Sequence, residues 1–138
     1  MAFPAIAALT AGVLIIMQII LMLSVGLYRG KVNVGVGTGD NLELERKIRR
    51  HGNFAENAAM FVVTLALAEG VGANPSILQW LAGLFVAARV AHVLAFTSQL
   101  GSHLPGGSII FPGLRMFGAF GTAIAGIALG VILLLKFV

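Results

Sequence analysis

The sequence predicts an all-α integral membrane protein, a four-helix bundle with very little of the chain outside the bilayer. Two observations carry this. Hydrophobic residues make up 59% of the 138 positions and charged residues 10%, with a mean hydropathy of +1.00, so there is too little polar surface to face water all round. The charges are also bunched: none falls at 1–28, 70–88, 90–114 or 116–135, and a span needs about 20 mostly apolar residues.

Helix one is expected over 3–27. It has no basic leader and its apolar run is too long for a signal peptide, so it reads as a retained helix. Tyr28, Arg29, Gly30 and Lys31 form an aromatic and basic cluster of the kind that sits at a membrane interface. A glycine-rich loop follows, with Asp40 as the expected N-cap of helix two, 43–69. That helix is charged in its first turns and apolar afterwards. Asn74 and Pro75 start helix three, 76–97. A loop containing Pro105 and Pro112 leads to helix four, 113–137, and the whole of 1–138 reads as one transmembrane domain.

Arg29, Lys31, Arg46, Lys47, Arg49 and Arg50 cluster around the first loop, whereas the turn after helix two holds no basic residue. The positive-inside rule therefore makes loops 28–44 and 98–112 cytoplasmic. Helix four carries Gly113, Gly118, Gly121, Gly126 and Gly130. Small residues at such spacings let helices approach closely in lipid, including helices of other copies.

Polar residues within spans are costly and face a bundle interior or a water-filled cavity. At 100° per residue Arg49, Asn53 and Glu56 fall within about 60° of one another on helix two. Arg89, His92 and Phe96 share a face of helix three. Glu56 lies about 16 Å past Glu45, and Arg89 about 14 Å before Ser98 on an antiparallel neighbour. The two stand at matched depth, and a Glu56–Arg89 contact is expected, directly or through His92 or a ligand, because an unpartnered buried carboxylate would protonate. Arg115 begins helix four at the same end. Arg46, Lys47 and Arg50 read as interfacial anchors. A structural ion pair would explain Glu56 and Arg89 alone; the company of Asn53 and His92 is what suggests a site.

Several chemistries find no support. Cysteine is absent, so there is no disulfide, thiolate metal site or cysteine nucleophile. No His/Glu cluster has zinc spacing, His51 and His103 are isolated, and no metal is expected. There is no P-loop or dinucleotide fingerprint, and nothing points to nucleic acid. Several guanidiniums with one carboxylate and an amide suit a small zwitterion bearing more than one carboxylate. Glutathione fits; amino acids and other peptides fit as well.

The run from Glu45 to Asn57, with Glu45, Arg46, Arg49, Asn53 and Glu56, resembles the E-R-x-x-R-x-x-x-N-x-x-E signature of the MAPEG family, membrane-associated proteins in eicosanoid and glutathione metabolism. Arg89 to His92 is similar to the R-x-x-H of some members, and helix order and chain length agree, so the likeness covers effectively the whole chain. The resemblance implies a homotrimer, with glutathione as co-substrate held between subunits by Arg49, Asn53 and Glu56, helped by Arg29 and His92. Arg89 and Phe96 belong to the same expected binding set. Arg115 resembles the family's thiol-activating arginine, so the implied activity is a glutathione transferase or peroxidase acting on hydrophobic electrophiles from the bilayer. Phe96 departs from the tyrosine of several members and cannot donate a hydrogen bond. The likeness is to bacterial-type members, hence an expected inner-membrane location. A non-catalytic glutathione- or anion-binding protein and a small carrier are the alternatives.

Overall fold

The computed structural model describes residues 3–97 and 110–138. Four helices, α1 (Ala5–Val32), α2 (Leu42–Gly70), α3 (Pro75–Ala95) and α4 (Ile110–Leu134), make up the described chain. The expected loop at 98–112, with Pro105 and His103, lies outside the described residues except for its last three positions. Those three already belong to α4. Helix four therefore starts earlier than 113: Pro112 sits in its first turn, where the missing N–H of proline has no helical partner to lose.

The other helix ends also move. α1 continues through Tyr28 and Arg29 to Val32 and stops on Asn33, whose left-handed φ of 54° ends the helix while its N–H bonds back to the Arg29 carbonyl. The aromatic and basic cluster thus lies within the last turns of the helix and does not end it. The N-cap of α2 is Asn41, not Asp40: its side-chain oxygen accepts from the Leu44 N–H at 2.9 Å, while Asp40 is held at a φ of 57° in the preceding turn. Asn74 caps α3 as expected, accepting from Ser76 at 3.0 Å and Ile77 at 3.3 Å with Pro75 as the first helical residue.

α1, α3 and α4 are long and apolar enough to cross a membrane. α2 has 29 residues and a comparable length, but Asn53, Glu56 and Asn57 interrupt its apolar part. It is packed chiefly against α1, and α3 chiefly against α4. Short connections make α1, α2 and α3 successive antiparallel neighbours. The core runs along the bundle through Leu14, Leu21, Phe54, Leu65, Leu78 and Leu129. At its centre the rings of Phe61 and Phe85 stack 3.8 Å apart. Outward faces are apolar, with Trp80 81% exposed and Ile16, Ile20, Phe120 and Ile127 beside it in character, as a lipid-facing surface requires.

At the end of the bundle away from the basic first loop, Glu69 closes the chain on itself. Its two carboxylate oxygens accept from the Ile6 and Ala7 N–H groups at 3.1 and 3.0 Å. These are orphan donors of the first turn of α1, where a negative charge also meets the positive helix end.

Candidate functional site

Helical phase decides which polar residues meet. The buried stripe of α2 runs through Phe54, Ala58, Phe61 and Leu65. Asn53 stands to one side of that stripe, and Glu56, three residues on, turns a further 60° away from it. Asn53 is therefore half-buried and Glu56 exposed on the single chain.

The direct form of the expected Glu56–Arg89 contact is therefore not made within the chain. Arg89 is only 2% exposed and spends its guanidinium on neutral acceptors. Nη1 donates to Asn53 Oδ1 at 2.9 Å and to the Asn53 carbonyl at 3.3 Å, and Nη2 donates to the Gly118 carbonyl at 3.1 Å. One side chain thus ties α2, α3 and α4 together beneath the site. Among the described residues no ion pair reaches Glu56; the three present are Arg46–Glu43, Lys47–Glu43 and Arg49–Glu45, all in the first turns of α2.

Above Arg89 a cavity of about 480 Å³ opens between α2, α3 and α4, within the usual range of small-molecule sites. It is lined by Arg49, Asn53 and Glu56 from α2, His92 and Phe96 from the end of α3, and Arg115 and Ala119 from α4. The rings of His92 and Phe96 stack with centroids 5.1 Å apart and an interplanar angle of 1°. The Arg115 guanidinium carbon lies 4.9 Å from the Phe96 ring centroid, a cation–π distance. His92, Phe96 and Arg115 therefore form a continuous stack along one wall. Arg49 is mostly exposed and pairs through Nε with Glu45 at 3.1 Å. The opening combines two guanidiniums, one carboxylate, an amide and an imidazole, a set that can bind a zwitterion at both signs of charge.

Two residues expected in the binding set stand apart from this cavity. Arg89 lies behind Asn53 and His92 and positions Asn53 instead of lining the wall. Arg29 folds back onto its own loop, donating from Nη1 to the carbonyls of Val34, Gly35 and Gly37 at 3.2, 3.3 and 2.9 Å. It thereby shapes the glycine-rich connection, and it does not reach the cavity within one chain. His51 is half-buried on α2, and among the described residues no three His, Cys, Asp or Glu side chains lie together as a metal would require.

Sequence reasoning missed how Gly118 serves the site. A Cβ there would stand 2.7 Å from the His92 Cβ and 2.9 Å from the Ala88 carbonyl oxygen, so only glycine lets α4 approach α3 behind the stack. Its carbonyl also receives the Thr122 hydroxyl at 2.6 Å besides Arg89. Gly121 is similarly close to Ala88, whereas Gly113, Gly126 and Gly130 have open space. The glycines of α4 thus divide: Gly118 and Gly121 pack against α3, and Gly113, Gly126 and Gly130 face open space.

The family model described as the MAPEG family matches residues 7–135 of the chain. No curated protein matches it.

Proposed function

Since the chain belongs to the MAPEG family, membrane proteins of eicosanoid and glutathione metabolism, we propose that it binds glutathione in the α2–α3–α4 cavity and uses the thiolate against hydrophobic molecules. The observation that carries this reading is the meeting of Arg49, Asn53, Glu56, His92 and Arg115 around one opening, although they come from three helices. Arg49 and Asn53 would take a glutathione carboxylate, and Glu56 its ammonium. Arg115 would stabilise the sulfur as thiolate, because a cation beside a thiol favours the charged form. In conjugation the sulfur forms a bond to an electrophilic carbon, which either loses a leaving group with its electron pair or releases the pair of a double bond or epoxide C–O bond to the neighbouring atom, which then takes a proton from water. In peroxide reduction two glutathiones become the disulfide as the O–O bond breaks to alcohol and water.

The assembly we propose is a homotrimer, in which Arg29 of one subunit meets the cavity of the next. Loops 28–44 and 98–112 would face the cytoplasm of a bacterial cell. Glu56, exposed and without an ion-pair partner among the described residues, favours such completion by a ligand or a neighbour, since an ionisable group at membrane depth needs a partner. A second reading, glutathione binding without turnover, is favoured by Phe96, which offers no hydroxyl to the sulfur.

The test is the ultraviolet difference spectrum of glutathione added to detergent-purified protein, in wild type and Arg115→Ala, beside calorimetry on both. A thiolate band that disappears in the variant while binding persists supports the transferase reading. Binding with no band in either protein favours the non-catalytic reading, and no binding at all rejects both.

A further inference from the structure

A second groove opens between α2 and α4 on the side of the cavity nearer the bundle centre. It encloses about 210 Å³, and Glu56, Asn57, Thr64, Phe85, Thr122 and Gly126 are among its lining. Glu56 also lines the first cavity, so the two adjoin at that side chain. A dry cavity of about 150 Å³ already accepts benzene, so the groove has room for a small ring or the head of a longer apolar molecule. Gly126 forms part of its wall, and a Cβ there would meet nothing within 4 Å.

The polar groups of this groove have mostly committed their protons to backbone. The Thr64 hydroxyl donates to the Met60 carbonyl at 2.8 Å, the Thr122 hydroxyl to the Gly118 carbonyl at 2.6 Å, and Asn57 Nδ2 to the Asn53 carbonyl at 2.9 Å. A hydroxyl has one proton and two lone pairs, and an amide has two protons and a carbonyl oxygen. What remains for a ligand is acceptors on Glu56, Asn57, Thr64 and Thr122 against one N–H of Asn57. Threonines in membrane helices often bond back to their own helix; here two facing helices turn such oxygens toward one void.

We propose that the α2–α4 groove is the subsite of the apolar co-substrate and that it selects molecules carrying a hydrogen-bond donor, a hydroxyl or N–H on an aromatic or aliphatic body. Its role as a co-substrate site rests on the glutathione reading above, while its preference for donors rests on the lining alone. An apolar ligand whose polar atoms only accept would leave these oxygens unpaired, and a buried polar group without a partner weakens binding.

A fluorinated 4-alkylphenol and its methyl ether, which differ by the one donor, test this by fluorine NMR in detergent. Each is measured against its partition into empty micelles, without glutathione. The expected result is about tenfold stronger binding of the phenol, the worth of one neutral hydrogen bond in such a site. Thr122→Val should cut that preference to about threefold or less, with recovery in Thr122→Ser. Gly126→Leu should abolish binding of both by filling the groove. Equal binding of phenol and ether overturns the proposal, as does phenol binding that survives Gly126→Leu. A changed oligomer mass in Gly126→Leu with no change in the fluorine signal would show a second copy in the groove, and also overturns it. Glutathione titrated into the same samples reads the other site: no glutathione binding with the phenol preference intact rejects the glutathione reading and supports the groove's selectivity.

Discussion

Arg89 and Arg115 lie at the same end of the bundle on helices that touch, yet they are treated oppositely. Arg89 is sealed behind Asn53 and gives its protons to three oxygens on α2 and α4. Arg115 lies over the open face of Phe96 on the wall of a cavity. No carboxylate neutralises Arg89 among the described residues; its charge is spread over amide dipoles, which fix direction without competing for a ligand's cation. The difference separates a residue that builds the site from one that lines it. It also leaves the Glu56 carboxylate for the cavity, whereas an ion pair with Arg89 would have spent it.

Substitution should expose this contrast most strongly in turnover. Arg115→Ala is expected to lower glutathione-dependent kcat by about 100- to 1,000-fold, as loss of one group stabilising a developing anion does. Its melting temperature in detergent should fall less than that of Arg89→Ala, whose guanidinium is buried. Arg89→Ala should reverse the pattern, lowering stability by about 2–4 kcal/mol, because it empties a buried site where three helices meet and leaves the Asn53 side-chain oxygen without its donor. Its loss of turnover should follow the fraction unfolded. A melting temperature that falls equally in both variants would remove the distinction.

Much of this was legible from pattern. Bunched charges announced the helices, and the E-R-x-x-R-x-x-x-N-x-x-E run placed Arg49, Asn53 and Glu56 on one stripe. What could not be read was which of two neighbours an arginine would choose. Depth along antiparallel helices matched Glu56 to Arg89, but side-chain partners are decided by rotation as well, and 60° sent Glu56 outward while Asn53 took the contact. The role of Gly118 was hidden for a related reason. Five glycines on α4 look alike in sequence, and only the position of α3 shows that a Cβ at Gly118 would strike His92 while one at Gly126 would meet open space. Arg29 was placed by analogy with a trimer, and a single chain shows only its hold on the loop carbonyls.

The close approach at Gly118 sharpens the comparison from behind the site. Gly118→Ala should cost about 1–3 kcal/mol, the range for overpacking, because the new methyl meets backbone as well as the His92 Cβ. Gly126→Ala, on the same helix with nothing in the way, should leave stability within about 0.5 kcal/mol. Thermal unfolding of the two variants side by side in one detergent checks this. Equal melting temperatures would mean that α3 and α4 slide apart at little cost, and that Arg89 alone does not hold their register.

The smallest effect falls on the ring between His92 and Arg115. Removing its π-face by Phe96→Leu should weaken the hold on Arg115 by about 0.5–1 kcal/mol, the worth of an exposed cation–π contact. That predicts a two- to fivefold loss in the thiolate band at about the same glutathione affinity. Phe96→Tyr keeps the face and adds a donor at its edge, so the band should strengthen if the hydroxyl reaches the sulfur. Leucine and tyrosine that both leave the band unchanged would mean Arg115 is positioned without the ring. A rise with tyrosine alone would identify the missing hydroxyl, not the orientation of Arg115, as what limits thiol activation in this chain.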